Sequence, residues 1–264
     1  PPPQATYTSR PMADDEKVGG AIAEDRAQNR RLASRAAAIL LGVFLVLHIL
    51  ANASALGGQG TYDAFAGTIS RWKGLPVLEL VLVVAPLLLH ADYGLRLFRP
   101  GTLADDEGSR YGGRRLWLAQ RISAAVGLVF LIVHLWELRA QRLFFGLSAD
   151  ALYTTLTARL SWTWGGVPWI ALFYLVGLLA VVAFAVLVAI AAYNTLVAPS
   201  RQQVARVATV GLGVVLFAAG SATLIGLATG TRLLSGPDDD SGAPKAPCGV
   251  ATTPISKPSS APSR

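Results

Sequence analysis

Long stretches without a single charged residue alternate with short polar segments along this chain. No Asp, Glu, Lys or Arg occurs in residues 36–62, 160–200 or 207–231. Uncharged apolar stretches of about 18 or more residues are typical of transmembrane helices. Two further segments keep apolar centres and carry their charges near the ends, where long side chains reach the membrane surface. We therefore predict an all-α integral-membrane bundle of five transmembrane helices, at about 33–55, 75–98, 116–138, 167–197 and 205–230.

Polar segments flank this membrane domain, residues 33–231, at both ends. Residues 1–32 are rich in Pro, Ala, Asp and Arg, which predicts either a disordered segment or a short surface helix. Residues 232–264, with many Pro, Ser and Gly, predict a disordered tail. No internal repeat of fixed period is evident, so a repeat architecture is not expected.

Composition and charge narrow the class of protein. The chain is 53% hydrophobic and only 15% charged, whereas soluble domains carry about 25% charged residues, which excludes a water-soluble enzyme. The net charge of +7 does not indicate a nucleic-acid partner, because the basic residues lie at the ends of the apolar segments. With the N-terminus inside, the inner side carries fourteen Lys and Arg and the outer side nine. The positive-inside rule therefore predicts the N-terminus inside and the C-terminus outside.

Chemistry is concentrated in the histidines. All three, His48, His90 and His134, lie in the first three predicted spans. A buried imidazole without a partner costs several kcal/mol, so each one either binds something or hydrogen-bonds across a helix interface. From the helical rise, His48 and His134 lie roughly 22 and 27 Å from the inner ends of their helices, whereas His90 lies about 10 Å from its inner end. Two imidazoles at one depth on different helices are typical of a haem iron site.

One glycine and the single cysteine say less about function than the histidines do. Gly127 lies two turns before His134 on the same helix face, where a missing side chain either admits a porphyrin or packs against a helix. The single cysteine, Cys248, lies in the polar tail, which excludes a disulfide framework and a cysteine-based metal site.

Four stretches carry a resemblance to a known family. They read FLVLHILANASALGGQGTYDA at Phe44–Ala64, APLLLHADYGLRLF at Ala85–Phe98, RISAAVGLVFLIVHLWEL at Arg121–Leu138 and FYLVGLLAVV at Phe173–Val182. In order, spacing and flanking residues they resemble the single-chain, five-helix cytochrome b subunit that anchors bacterial succinate:quinone oxidoreductases, that is, succinate dehydrogenase or fumarate reductase.

The resemblance implies haem ligands. In that family four histidines, one on each of the first four helices, bind two haems b, the first pairing with the third and the second with the fourth. Carried over by position, His48 pairs with His134, and His90 is the ligand of the second haem. Helix four reads Ala183-Phe184-Ala185-Val186 where the fourth histidine is expected, and no His follows residue 134. The chain can therefore hold at most one haem b with two histidine ligands.

The resemblance also implies the function and the partners. We expect a membrane-anchor and electron-transfer subunit in the bacterial inner (cytoplasmic) membrane. It would pass electrons between an iron–sulfur subunit and membrane quinone, with a flavoprotein subunit alongside. Flavin and iron–sulfur chemistry would lie on those partners, because this chain has neither a Rossmann glycine pattern nor a cysteine cluster. Alone it should have no dehydrogenase activity.

Several polar residues near the helix ends are further candidates. His90, with Asp92 or Arg96, either hydrogen-bonds a quinone carbonyl or makes a buried hydrogen bond without a substrate role. Arginines at span ends either pair with haem propionates or anchor the helices at the interface. They are Arg31, Arg35, Arg71, Arg121, Arg139 and Arg142, of which Arg71, Arg139 and Arg142 would serve an outer haem.

Two other functions stay open from the residues. One is a haem-free anchor of the same complex, in which the histidines serve quinone binding or packing. The other is an unrelated membrane transporter, a class that commonly shows inverted repeats and broken helices at the midplane. Against the transporter, Pro86 is the only candidate helix break.

Overall fold

The structure, a computed structural model, describes residues 12–97, 113–140, 144, 152–196 and 198–231. Nearly all of this part of the chain is helical, and its only bridge between extended residues joins Trp164 and Val167. The helices are α1 (Met12–Asn52), α2 (Gln59–Arg71), α3 (Leu75–Glu79), α4 (Ala85–Leu97), α5 (Arg114–Leu135), α6 (Leu152–Leu160), α7 (Trp169–Leu196) and α8 (Pro199–Thr229).

Five of these helical stretches are long and apolar enough to cross a membrane, which confirms the predicted all-α membrane bundle. We refer to them in chain order as spans I to V. They are Gly20–Gly57 (α1 and the 3-10 turn Ala53–Gly57), Leu75–Arg96 (α3, the π-helical turn Leu80–Val84 and α4), Arg114–Ala140 (α5 and the π-helical turn Trp136–Ala140), Trp169–Asn194 (α7) and Pro199–Thr229 (α8). Large apolar side chains cover their outer faces, with Leu88 64%, Val129 59% and Val215 63% exposed. A surface of this kind fits lipid and not water.

Helix α1 begins well before the predicted first span. It runs without interruption from Met12 to Asn52. Its apolar part begins at about residue 33, where the sequence predicts the first span. The chain has no proline between Pro11 and Pro76. Residues 12–32 include many good helix formers such as Ala, Glu and Arg. The polar segment is therefore helical from Met12 onward and continuous with span I. Residues 1–11 and the predicted tail after Thr231 lie outside the described residues.

The spans pack in an order that differs from their order in the chain. Span I packs against spans II and V, span V packs against span IV, and span IV packs against span III. Within the described residues, span III makes extensive backbone contact with span IV alone. Spans I and III therefore lie at a distance from each other, with side chains between them.

Glycines allow close helix contacts on both sides of span IV. A Cβ added at Gly177 would overlap the Phe130 ring of span III, and one added at Gly213 of span V would overlap Val186. Because small residues let membrane helices approach closely, these two positions join spans III, IV and V. The first of these contacts places span III, and with it His134.

Two short helices, α2 and α6, cover the end of the bundle that is predicted to face outward. The rings of Tyr62 in α2 and Tyr153 in α6 lie 5.7 Å apart, and Leu160 of α6 is only 1% exposed. A buried apolar cluster joins this cap to the spans beneath it. Its members are Ala55, Tyr62, Phe130, Leu156, Leu160, Tyr174 and Leu227.

Candidate functional site

His48 of span I and His134 of span III meet across the bundle. Their ring centres are 5.8 Å apart and the ring planes are perpendicular. A metal–imidazole bond is about 2 Å long and the donor nitrogen lies about 1 Å from the ring centre, so two imidazoles on opposite sides of one metal have ring centres about 6 Å apart. The observed separation therefore suits two axial ligands of one metal.

The number of donors indicates which kind of metal group fits. Within the described residues, no group of three or more His, Cys, Asp or Glu side chains is placed to hold a metal ion. A bare ion would therefore lack most of its ligands here, whereas a porphyrin brings four nitrogen ligands of its own and needs only axial ones. Two histidines with no further donors fit haem.

A phenylalanine one turn before each histidine packs against it. Phe44 stacks on His48 with ring centres 5.3 Å apart, and Phe130 lies at the same distance from His134. Positions four apart share one helix face, so the sequences FLVLH and FLIVH build the same ring pair on two helices. Sequence reasoning missed this shared Phe-x-x-x-His spacing, which is absent before His90 and was available to distinguish the pair.

The two imidazoles differ in their hydrogen bonding. The Nδ1 of His134 is fully buried and has no hydrogen-bond partner among the described residues. His48 Nε2 lies within hydrogen-bond distance of Asn52 Nδ2, 3.3 Å, and the same amide donates a 2.8 Å hydrogen bond to the His48 carbonyl. Burying an unpaired imidazole in apolar surroundings is costly. A metal bound to the His134 ring would offset part of that cost.

Gly127 has the packing role. A Cβ at Gly127 would lie 3.3 Å from Val181 Cγ2 and 3.8 Å from the Val181 Cα. The glycine therefore faces span IV at a helix contact. Of the two interpretations of this glycine, close helix packing is the one that its neighbours support.

His90 lies in a different environment. Its Nδ1 is 3.3 Å from both the hydroxyl and the carbonyl oxygen of Ser34 in span I, and Ser34 is 5% exposed. On the other side, the Phe184 ring of span IV is 5.7 Å from the His90 ring, centre to centre. Phe184 thus stands opposite His90 at almost the same spacing as His134 opposite His48. A phenyl ring has no donor atom for iron.

Asp92 and Arg96 do not join His90. They pair with each other at 2.8 Å on an exposed face, with side chains 58% and 51% exposed. The hydrogen bond that His90 makes is therefore to Ser34 and not to Asp92.

The candidate propionate partners are scattered. Arg139 is paired with Glu79 of span II at 2.5 Å. Arg121 is buried and lies over the Trp117 ring, 5.2 Å from its centre. Arg31, Arg35 and Arg71 are exposed, and Arg142 lies outside the described residues.

A polar network lies next to His134 at the α2/α6 end of the bundle. After α5, span III continues as a π-helical turn, Trp136–Ala140. Its Glu137 accepts a 3.1 Å hydrogen bond from the Tyr174 hydroxyl of span IV and lies 3.9 Å from Arg159 of α6. The Tyr174 ring is 5.7 Å from the His134 ring. Such π-turns are rare and often occur at functional sites. Sequence reasoning did not single out Tyr174 or Glu137, because their proximity arises only from the packing of span III on span IV.

Fold and site together define a multi-pass membrane protein, with five candidate membrane spans in the described residues and a histidine pair between two of them. Over 112 residues the chain is 30% identical to the succinate dehydrogenase cytochrome b558 subunit of Bacillus subtilis (strain 168). That match covers 42% of this chain and 54% of the relative, so the chain spans about half the length of the curated relative that it matches. No family model and no solved structure matches the chain. The similarity supports a relationship to the succinate dehydrogenase cytochrome b family.

Proposed function

We propose that the chain is the membrane-anchor and electron-transfer subunit of a succinate dehydrogenase or fumarate reductase, binding one haem b between His48 and His134. The observation that carries this proposal is the ring pair itself, 5.8 Å apart across the bundle and without other metal donors nearby. A haem-free anchor would leave His134 with neither a metal at one ring nitrogen nor a hydrogen bond at its buried Nδ1, which is unfavourable in an apolar interior.

The residues around the pair have identifiable tasks. Phe44 and Phe130 restrict the ring orientations of the two histidines. Gly177 lets span IV pack closely against the Phe130 ring of span III. The apolar spans exclude water from the ligands, which favours a stable ligand set. Haem b bound there would accept and release single electrons.

The inner half of the bundle is proposed to lack a second haem. Phe184 stands where a second ligand for His90 would be needed, and three histidines cannot supply four axial positions. Ser34 and His90 together present a hydroxyl and an imidazole to one place. These are groups that can hydrogen-bond a quinone carbonyl, and we assign His90 to that contact.

Partners and location follow from the same proposal. Flavoprotein and iron–sulfur subunits would dock on the inner side, and the quinone would enter from the lipid bilayer. The location would be the bacterial inner membrane, with the N-terminus inside and the C-terminus outside. The excess of basic residues on the predicted inner side supports this orientation.

The test is the haem content of the complex, purified with its partner subunits from the membrane. We expect about one haem b per flavin in a dithionite-reduced minus oxidised spectrum. His48→Ala and His134→Ala should each abolish the signal, while His90→Ala, the matched control within the same bundle, should retain it.

The other outcomes discriminate among the alternatives. Absence of haem from the wild-type complex would favour the haem-free anchor. About two haems per flavin would mean that span IV or a partner subunit supplies a further iron ligand. Failure to purify with any flavoprotein would remove the succinate:quinone oxidoreductase assignment and favour an unrelated membrane function.

A further inference from the structure

We propose that Tyr174 is the positioning residue of His134, and that the charges of Glu137 and Arg159 set the reduction potential of a haem bound at the histidine pair. This inference rests on the proposed function and goes beyond it, because none of these residues is a ligand.

Metal-binding histidines almost always donate their second ring N–H to a carboxylate, a carbonyl or water, which fixes the ring orientation. His134 has no such partner among the described residues. Its ring is instead surrounded by other rings: Phe130 at 5.3 Å, Tyr174 at 5.7 Å and His48 at 5.8 Å between centres. Aromatic contacts therefore replace the hydrogen bond as the source of orientation.

Of these neighbours, Tyr174 is the one on span IV, the helix that packs along span III. It is 7% exposed and its ring meets both Phe130 and His134 edge-on. Its hydroxyl donates to Glu137 Oε2 at 3.1 Å. The phenol is thus held at both ends, by rings on one side and by a carboxylate on the other. A rigid Tyr174 restricts the rotation of the imidazole.

Glu137 also brings a charge close to the ligand. It lies one turn beyond His134, and its side chain is 28% exposed, so water screens the charge only in part. Arg159, 33% exposed, lies 3.9 Å from the same carboxylate oxygen. A carboxylate stabilises the oxidised, more positive haem and an arginine opposes it. Removing the two charges should therefore move the potential in opposite directions.

The experiment is a redox titration of the haem in the purified complex, with the low-temperature spectrum recorded for each variant. Glu137→Gln should raise the midpoint potential at unchanged haem content, and Arg159→Gln should lower it. Tyr174→Phe keeps the ring but loses the hydrogen bond, so haem should remain while the potential falls. Tyr174→Leu also removes the ring, and we expect a broadened spectrum and partial loss of haem.

Asp63→Asn is the matched control, because it removes a carboxylate of α2 at the same end without a described contact to Tyr174 or His134. Potentials of the Glu137 and Arg159 variants that move in the same direction, or that equal that of Asp63→Asn, would overturn the charge assignment. A Tyr174→Leu spectrum identical to wild type would overturn the positioning role. Absence of haem from the wild-type complex would overturn the proposed function and this inference together, so the wild-type spectrum is recorded first.

Discussion

Replacing Phe184 by histidine tests the histidine geometry most directly. Phe184 and His90 face each other across the bundle with ring centres 5.7 Å apart, close to the 5.8 Å between His48 and His134. If that spacing is what allows iron to bind, an imidazole at position 184 should complete a second axial pair. Phe184→His is then expected to convert a one-haem subunit into a two-haem subunit.

The expected magnitude is a doubling of haem, from about one to about two per flavin. A histidine is smaller than the phenylalanine it replaces, so overlap with neighbours is not expected to prevent folding. Without haem, however, the new imidazole would be an unpaired polar group, at a cost of roughly 1–3 kcal/mol. The amount of folded variant should therefore depend on haem supply more strongly than the amount of wild type.

The assay is haem per flavin in the purified complex, from cells grown with and without added haem precursor. Phe184→Leu is the matched control, because it removes the ring without adding a donor atom. The double variant Phe184→His with His90→Leu should return to the wild-type ratio. A folded Phe184→His complex that keeps the wild-type ratio would refute the reasoning that ring separation defines the ligand position.

Four further predictions concern the remaining parts of the molecule. His90→Leu should retain wild-type haem, since His90 contacts neither ligand, but should slow quinone reduction by the complex. Reversing one charge of the Glu79–Arg139 pair should lower thermal stability by about 1 kcal/mol, and swapping both should recover it. Gly177→Ala should destabilise by about 1–3 kcal/mol, measured by thermal unfolding in detergent, because its methyl group overlaps a ring of span III. Cys248, the single thiol of the chain, should react with a membrane-impermeant reagent in right-side-out vesicles.

Each of these has a contrary result. Loss of haem in His90→Leu would indicate that the iron site lies in the inner half of the bundle. Unchanged quinone reduction would contradict the assignment of His90 as a quinone contact. Gly211→Ala is the control for Gly177→Ala, because a Cβ at Gly211 meets nothing within 4 Å; equal stabilities would contradict the close packing of spans III and IV. A charge-swapped pair no more stable than the single variants would show that Glu79 and Arg139 do not interact in solution. Labelling of Cys248 only in inside-out vesicles would contradict the predicted orientation and place the C-terminus inside.

Much of the candidate site could be anticipated because depth in a membrane helix depends on sequence position alone. The helical rise places His48 and His134 at similar depth in two spans that run in the same direction, and this is the pair that the structure brings together. The absence of a histidine around Phe184 likewise needs no coordinates. The partners of His90 could not be anticipated, because Ser34 and Phe184 lie on two other helices and their rotation about the helix axes is not encoded in hydropathy.

The chain's hydropathy is enough to specify five membrane helices, since burying an uncharged apolar stretch of that length in lipid satisfies every backbone group within the helix itself. It also specifies which residues could carry chemistry, because ionisable groups inside lipid are rare and expensive. Which helices touch depends instead on side-chain packing: lipid is as apolar as the helices, so neighbours are selected by small residues and local shape. Gly177 against Phe130 is one such choice, and it brings Tyr174 to both His134 and Glu137. The candidate ligands were therefore visible in the sequence, whereas the contacts of Tyr174 with His134 and Glu137 exist only because span IV packs on span III.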